Sequence, residues 1–314
     1  MVGVAGCTIS DPTIKGGPAA GTAPAATAAP TRDPAWEPTI AALSALAQHA
    51  AACVGAAAAL SAPPQFAARY TSCRDAFSAH LARCGRIDPL DETSDAVAGE
   101  PSPTPAPAPV SVAAADARFT ALLGDVTKHS LELFSAFARR ATPDAQPLGL
   151  TALSLHLAAH AARTPSVRFA SAAGAPTRFS PTTAGASRGV VLTQVWAAIY
   201  AYEVGLGIIS AREPLAKQGL SRLAELKQVR DDMTATIAPA NRPEQLPAYD
   251  LGGTPDSLAA IQKIWSLAEL RLMNAWARLA AASPQDAEAR ATAVAQVGRV
   301  VTLGGAMPFW PGWV

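Results

Sequence analysis

Apolar residues recur every three or four positions along most of the chain, and prolines separate these stretches from one another. This spacing places the apolar side chains of each stretch on one face of an α-helix. Four helices are predicted in the first half, over residues 36–60, 65–84, 113–140 and 148–163. Four more are predicted in the second half, over residues 188–211, 214–237, 255–282 and 284–303. The pattern predicts an all-α fold of two four-helix bundles joined by Pro/Ala-rich segments.

Segments without apolar periodicity set the predicted domain limits. Residues 1–35 are predicted to be a disordered tether, and residues 36–163 a first bundle with a Pro-rich internal loop over 85–112. A Ser/Ala/Gly/Pro-rich linker over 164–187 leads to a second bundle over 188–314, which ends in an aromatic tail.

The stretch over residues 189–209 is apolar enough to be mistaken for a membrane span. Glu203 lies within it, and a carboxylate at that depth is costly in lipid. A helix that is apolar on all sides is equally typical of the centre of a bundle, which is the interpretation adopted.

Composition agrees with helices and excludes nucleic acid as a partner. Alanine, the best helix former, supplies about a quarter of the chain, whereas aromatic residues make up only 6%. The net charge is +1, the pI is about 7.7, and no Lys/Arg run is present. The chain therefore lacks the basic surface that binds phosphate backbones.

The N-terminal residues Val4-Ala5-Gly6-Cys7 resemble the lipobox of bacterial lipoproteins, in which the cysteine is diacylated and becomes the mature N-terminus. Only six residues precede Cys7, so either the start codon is misplaced or the sequence begins inside the signal peptide. The resemblance implies an exported protein on the outer face of the cytoplasmic membrane. Its partners would be the membrane, through a lipid on Cys7, and an envelope protein.

The second half contains four distinctive motifs: the segment 194–202, the Arg230-Asp231 pair, Glu269 with Trp276, and the ending 308–312. Together these motifs resemble an actinobacterial ferritin-like domain of unknown function. The resemblance covers residues 188–313 and implies a ferritin-like four-helix bundle, often carried on exported or lipid-anchored proteins. Members commonly have a Glu-His pair where this chain has Val195-Trp196, and a histidine where Leu226 aligns.

A ferritin-like metal site needs inward carboxylates and Glu-x-x-His motifs, and the second half contains no histidine. Helical spacing could aim Glu203, Glu225 and Glu269 inward, but no imidazole accompanies them. We therefore predict a ferritin-like scaffold without a metal site, in which Glu203 pairs with Arg230 or Arg271 or points to solvent.

The first half offers an alternative metal site. If its second hairpin turns near residues 144–145, His129 lies opposite His160, with Glu132 and His156 nearby. These four side chains could bind a transition metal such as zinc, copper or iron. The alternative function is thus a metal-binding or oxidoreductase bundle.

The cysteines predict a disulfide. If the first hairpin turns near Pro63-Pro64, Cys53 faces Cys73, and in an exported protein such a pair usually oxidises. Cys84 is then either a buried free thiol or the true partner of Cys53 in a different register.

The tail over residues 307–314 is the most aromatic stretch of the chain. It either folds back over the bundle or exposes Phe309, Trp310 and Trp313 as a partner-binding patch. No phosphate-binding loop, nucleophile elbow or His-Glu-x-x-His motif is present. The sequence predicts a cell-envelope lipoprotein that acts as a structural or partner-binding helical module, without a cofactor and without an identified catalytic activity.

Overall fold

The computed structural model describes residues 31–97, 104–171 and 174–313. These residues form eight α-helices, and each helix end lies within four residues of its predicted position. The helices are α1 (Glu37–Ala56), α2 (Pro64–Cys84), α3 (Val112–Ala138), α4 (Ala145–Ala162), α5 (Ala184–Ile208), α6 (Pro214–Thr236), α7 (Leu258–Ala282) and α8 (Ala287–Thr302). Short 3-10 turns at Pro34–Trp36 and Pro239–Asn241 precede α1 and follow α6. The prediction of a mostly helical chain is confirmed.

Side-chain caps explain where α7 and α8 begin. Ser257 Oγ accepts a hydrogen bond from the amide of Ala260 at 3.2 Å, and Asp286 Oδ1 accepts one from Ala289 at 2.9 Å. Such acceptors satisfy amides that have no partner inside the helix. Each helix therefore begins three residues after its predicted start at residue 255 or 284.

The helices pack in two sets that also touch each other. In the first set α1 contacts α2 and α3, and α3 contacts α4. In the second set α5 contacts α6 and α7, and α7 contacts α8. Helix α4 additionally packs against α7 and α8, and residues 32–314 form one compact unit. The division into two bundles at residues 164–187 stays a prediction, and Cys7 lies outside the described residues.

A small parallel sheet ties the segment after α4 to the end of the chain. Strand β1 (Phe169–Ala170) pairs with β2 (Met307–Pro308). The Met307 amide donates to the carbonyl of Arg168 at 2.8 Å, and the Phe309 amide donates to that of Ala170 at 3.2 Å. The sequence did not predict these strands, because two residues are too few to show an alternating pattern.

Two stretches of the described residues are long and apolar enough to cross a membrane, by length and composition alone. They are Pro34–Ala56, near the N-terminus, and Ala184–Ile208. About half of each is buried inside the protein, 56% and 44% respectively. Core helices commonly pass the same test.

Trp265 fixes the packing of α7 against α5 and α6. It is fully buried, stacks on Tyr202 with ring centroids 4.4 Å apart, and donates to the carbonyl of Ala201 at 3.0 Å. Glycines make room for its ring: a Cβ at Gly205 would lie 2.6 Å from the indole nitrogen, and one at Gly219 would lie 2.4 Å from the ring carbon Cη2. A Cβ at the neighbouring Gly207 would have no packing neighbour within 4 Å. Trp265 and Tyr202 thereby form one wall of the polar site in the second half.

Candidate functional site

The aromatic tail is folded back onto the protein. Trp310 is 5% exposed and Trp313 is 9% exposed, while Phe309 is partly buried. The Gly312 amide donates to Asn274 Oδ1 at 2.7 Å, and Phe179 packs edge-on against Trp313. Of the two alternatives, the structure shows the covering arrangement, and Phe309, Trp310 and Trp313 do not form an exposed patch.

His80 lies beneath this tail. Its ring is fully buried, contacts Trp310 with centroids 4.4 Å apart, and its Nε2 donates to the carbonyl of Phe309. Burial lowers the pKa of His80 to about 4, and the hydrogen bond to Phe309 opposes that change only in part. His80 is thus a neutral side chain that helps to hold the tail.

The predicted disulfide between Cys53 and Cys73 is wrong, because Cys53, Cys73 and Cys84 are all free and buried. Helix α1 ends at Ala56 and α2 begins at Pro64, so the turn is centred near residue 60 and not at the Pro63-Pro64 pair. Cys53 therefore faces the first turns of α2, where it interacts with Tyr70. Burial raises the pKa of Cys53 to about 11 and that of Cys73 to about 12. The cysteines consequently give no support for an oxidising compartment.

The predicted metal cluster of the first half is also not assembled. His129 Nδ1 lies 2.9 Å from Glu132 Oε2, whereas His156 Nδ1 contacts the carbonyl of Thr127 at 3.2 Å. The turn between α3 and α4 is centred near residue 141, so His156 faces Thr127 and His160 lies a turn further along, away from His129. Over the residues that the structure describes, no three His, Cys, Asp or Glu side chains converge on a possible metal site.

The three carboxylates singled out in the second half have different surroundings. Glu203 is half exposed, as one of the two alternatives predicted, and its partner is Lys227 at 2.9 Å instead of Arg230 or Arg271. Glu225 is also about half exposed. Glu269 alone is completely buried.

A hydrogen-bond network surrounds Glu269. Arg222 from α6 donates from Nε to Glu269 Oε1 at 2.8 Å and from Nη2 to Oε2 at 2.9 Å. Tyr202 from α5 donates its hydroxyl to Oε1 at 2.9 Å, and Gln296 from α8 accepts from Arg222 Nη2 at 3.2 Å. Each of the four helices α5 to α8 thus contributes one side chain to the network.

The network extends towards solvent through Glu225. Its Oε2 accepts from Arg222 Nη1 at 3.0 Å and from Arg299 Nη1 at 2.9 Å. Burial alone would raise the pKa of Glu225, but the charges of Arg299 and Arg222 hold it below its usual value. Glu225 is therefore the ionised link between a buried arginine and a partly exposed one.

Burial and the charge of Glu269 shift the pKa values of the two groups that donate to it. Burial disfavours the charged form of Arg222, but its bonds to Glu269 outweigh this and raise its pKa. Burial and the neighbouring Glu269 raise the pKa of the Tyr202 hydroxyl well above its ordinary value. A permanently charged guanidinium thus faces a carboxylate and a neutral phenol.

A cavity of about 600 Å³ opens beside this network. The side chains that line it come from α5 to α8 and the segment after α8. The polar ones include Lys217, Gln218, Ser221, Glu225, Arg299 and Thr302. Volumes of this order are typical of small-molecule sites in proteins.

Helical spacing pointed to Glu225 and Glu269 but not to Arg222. A signal was available, since Leu215, Gly219, Arg222, Leu226 and Met233 follow the three-and-four spacing of a buried stripe. A lone arginine within such a stripe predicts a buried partner on another helix.

No protein-family model matches the chain, and neither a curated protein nor a solved structure matches it.

Proposed function

We propose that the chain is a cell-envelope lipoprotein, anchored through Cys7, whose helical part acts as a structural or partner-binding module. In this proposal the helices form two four-helix bundles, and the second is a ferritin-like scaffold that carries an ion network where related scaffolds carry a metal site. No catalytic activity is assigned.

The arrangement of Glu269 is the observation that carries the proposal for the second half. Both of its oxygens accept hydrogen bonds, from the two guanidinium nitrogens of Arg222 and from the Tyr202 hydroxyl. Three hydrogen bonds already occupy this carboxylate, and the adjacent positive charge of Arg222 disfavours a cation. The residues present therefore do not fit a ferritin-like metal centre.

The anchoring proposal depends on sequence alone. It is supported by the match of residues 4–7 to a lipobox and by the change to a Gly/Ala/Pro/Thr-rich composition after Cys7. An unfolded chain of about 25 residues spans about 25 to 30 Å, which is the distance from the membrane surface that this proposal implies.

Metal analysis tests the scaffold proposal. The full chain, produced with supplemental iron and manganese and purified without a nickel column, is expected to contain no stoichiometric transition metal. Glu203→Gln is the matched control, because this half-exposed carboxylate lies outside the network and its loss is expected to leave the metal content unchanged. Stoichiometric metal in the wild type would contradict the proposal.

Detergent partition tests the anchor. Protein from its native cells is expected to enter the detergent phase, and Cys7→Ser is expected to remain in the aqueous phase because the acylated thiol is lost. Equal partition of the two proteins would overturn the lipid anchor without affecting the scaffold proposal.

A further inference from the structure

The cavity beside Glu225 holds more hydrogen-bond donors than the protein itself uses. Arg299 donates from Nη1 to Glu225, while its Nε is buried and has no acceptor among the residues that the structure describes. Lys217, in the first turns of α6, is exposed and makes no hydrogen bond or ion pair with the described residues. The enclosed Nε is out of a ligand's reach, but the rest of the Arg299 guanidinium is partly exposed and the Lys217 ammonium is exposed. An acceptor from outside can replace the water that solvates these two groups.

We propose that this cavity binds a small organic monoanion, with a carboxylate group held by Arg299 and Lys217. Arg299 Nη1 donates to Glu225 and its Nε is enclosed, so Nη2 is the donor that remains for a ligand carboxylate. The Lys217 ammonium adds a second positive charge from the neighbouring helix.

The net charge of the side chains around the cavity favours a ligand with a single negative charge. Arg222, Arg299 and Lys217 are positive, and Glu225 and Glu269 are negative. Glu269 balances Arg222, and Glu225 balances Arg299, which leaves one positive charge on Lys217. A monoanion neutralises this charge, whereas a dianion would be repelled by the adjacent carboxylates.

Apolar side chains on the other walls favour a ligand whose remaining atoms are apolar. Pro214, Ala295 and Leu303 line the cavity, together with the buried Trp265. With a volume of about 600 Å³ the cavity has room for a ring as well as a carboxylate. The ligand class is therefore an aromatic or branched aliphatic carboxylic acid.

Ligand-observed fluorine NMR with three probes tests the charge rule on the full chain. The probes are 4-fluorobenzoate, its cationic isostere 4-fluorobenzamidine, and 4-fluorophenyl phosphate as a dianion. The benzoate is expected to bind at least tenfold more tightly than either of the others. Equal binding of benzoate and benzamidine, or tighter binding of the phosphate, would overturn the proposal.

Variants test the location of the site. Lys217→Gln is expected to weaken benzoate binding about tenfold, because a charge-assisted hydrogen bond is lost. Arg299→Lys keeps the charge but removes the Nη2 donor, and is expected to weaken benzoate binding about fivefold. Lys128→Gln makes the same charge change at an exposed position of α3. It is the control and is expected to bind benzoate like the wild type. Unchanged affinity in Lys217→Gln and Arg299→Lys, or an equal loss in Lys128→Gln, would contradict the assignment.

Discussion

Arg222 and Glu269 form an ion pair that water hardly reaches, since their side chains are 8% and 0% exposed. Such a pair adds little compared with well-packed apolar residues, but removal of one partner leaves the other charge buried without compensation. The bonds from Tyr202 and to Gln296 hold both groups in one orientation. The network therefore fixes how α5, α6, α7 and α8 meet.

Arg222→Met is expected to lower the free energy of unfolding by about 3 to 5 kcal/mol, because it leaves the Glu269 carboxylate buried and unpaired. Lys227→Met is the matched control on the same helix, since it removes the half-exposed partner of Glu203 and should cost less than about 1 kcal/mol. Urea denaturation measures both. Equal losses in the two variants would show that the buried pair has no special role.

His80 predicts a loss of stability in acid. Its pKa falls from 6.5 to about 4 on folding, so the folded state binds fewer protons than the unfolded state between these values. His80 therefore makes its full contribution to stability above pH 6.5, and the free energy of unfolding decreases by about 3 kcal/mol as the pH falls to 4.

His80→Gln should reduce this acid loss while its amide keeps a donor for the carbonyl of Phe309. Part of the slope should remain, because burial also lowers the pKa of His156 and of His160. Denaturation of both proteins from pH 7.5 to pH 4 gives the comparison, and identical slopes would contradict the role assigned to His80.

At the scale of helices, Gly205 and Gly219 permit the close approach of Trp265. The indole is fully buried and cannot move aside, so an added methyl group at either glycine would displace α5 or α6.

Gly219→Ala is expected to destabilise the protein by about 1 to 3 kcal/mol, since overpacking forces side chains and backbone to shift. Gly207→Ala, on α5 and with nothing within 4 Å, should instead stabilise it by about 0.5 to 1 kcal/mol through the better helix propensity of alanine. Thermal denaturation of the two variants distinguishes these outcomes, and a stabilising Gly219→Ala would contradict the packing account.

Helix positions could be predicted from apolar spacing, but the register between helices could not. When the centre of a turn moves by three residues, the residue opposite a given position moves by about six. This shift separates Cys53 from Cys73 and His129 from His160, although all four lie on predicted helices. The spacing defines a helix face, whereas the last residue of a helix depends on local caps and turns.

At the scale of the whole molecule, the tail connects both halves of the chain. Strand β2 pairs with β1, His80 on α2 contacts Trp310, and Asn274 on α7 accepts from the Gly312 amide. Gly312 has φ +93°, a conformation that glycine adopts without strain.

Deletion of residues 309–314 is expected to lower the free energy of unfolding by at least about 3 kcal/mol, because it uncovers the core beneath two buried tryptophans. Unchanged thermal stability together with loss of binding to an envelope protein would favour the partner-binding patch instead. Calorimetry and a pull-down on the same two proteins separate these results.

The contacts between the halves could not be read from the sequence. Helix α4 meets α7 and α8 across more than 90 residues of chain, and no local pattern specifies such a distant partner. Glu269 could be found from its helical spacing, but its partner Arg222 required knowledge of which faces meet.

The three buried thiols allow the opening of the hairpin of α1 and α2 to be followed by chemical modification. Cys53, Cys73 and Cys84 are buried. A buried cysteine reacts with an alkylating reagent only after the surrounding helices separate. At high reagent concentration the rate of mass gain would equal the opening rate, and at low concentration it would give the open population. The motions of α1 and α2 can therefore be timed in the unmodified chain, without an introduced label.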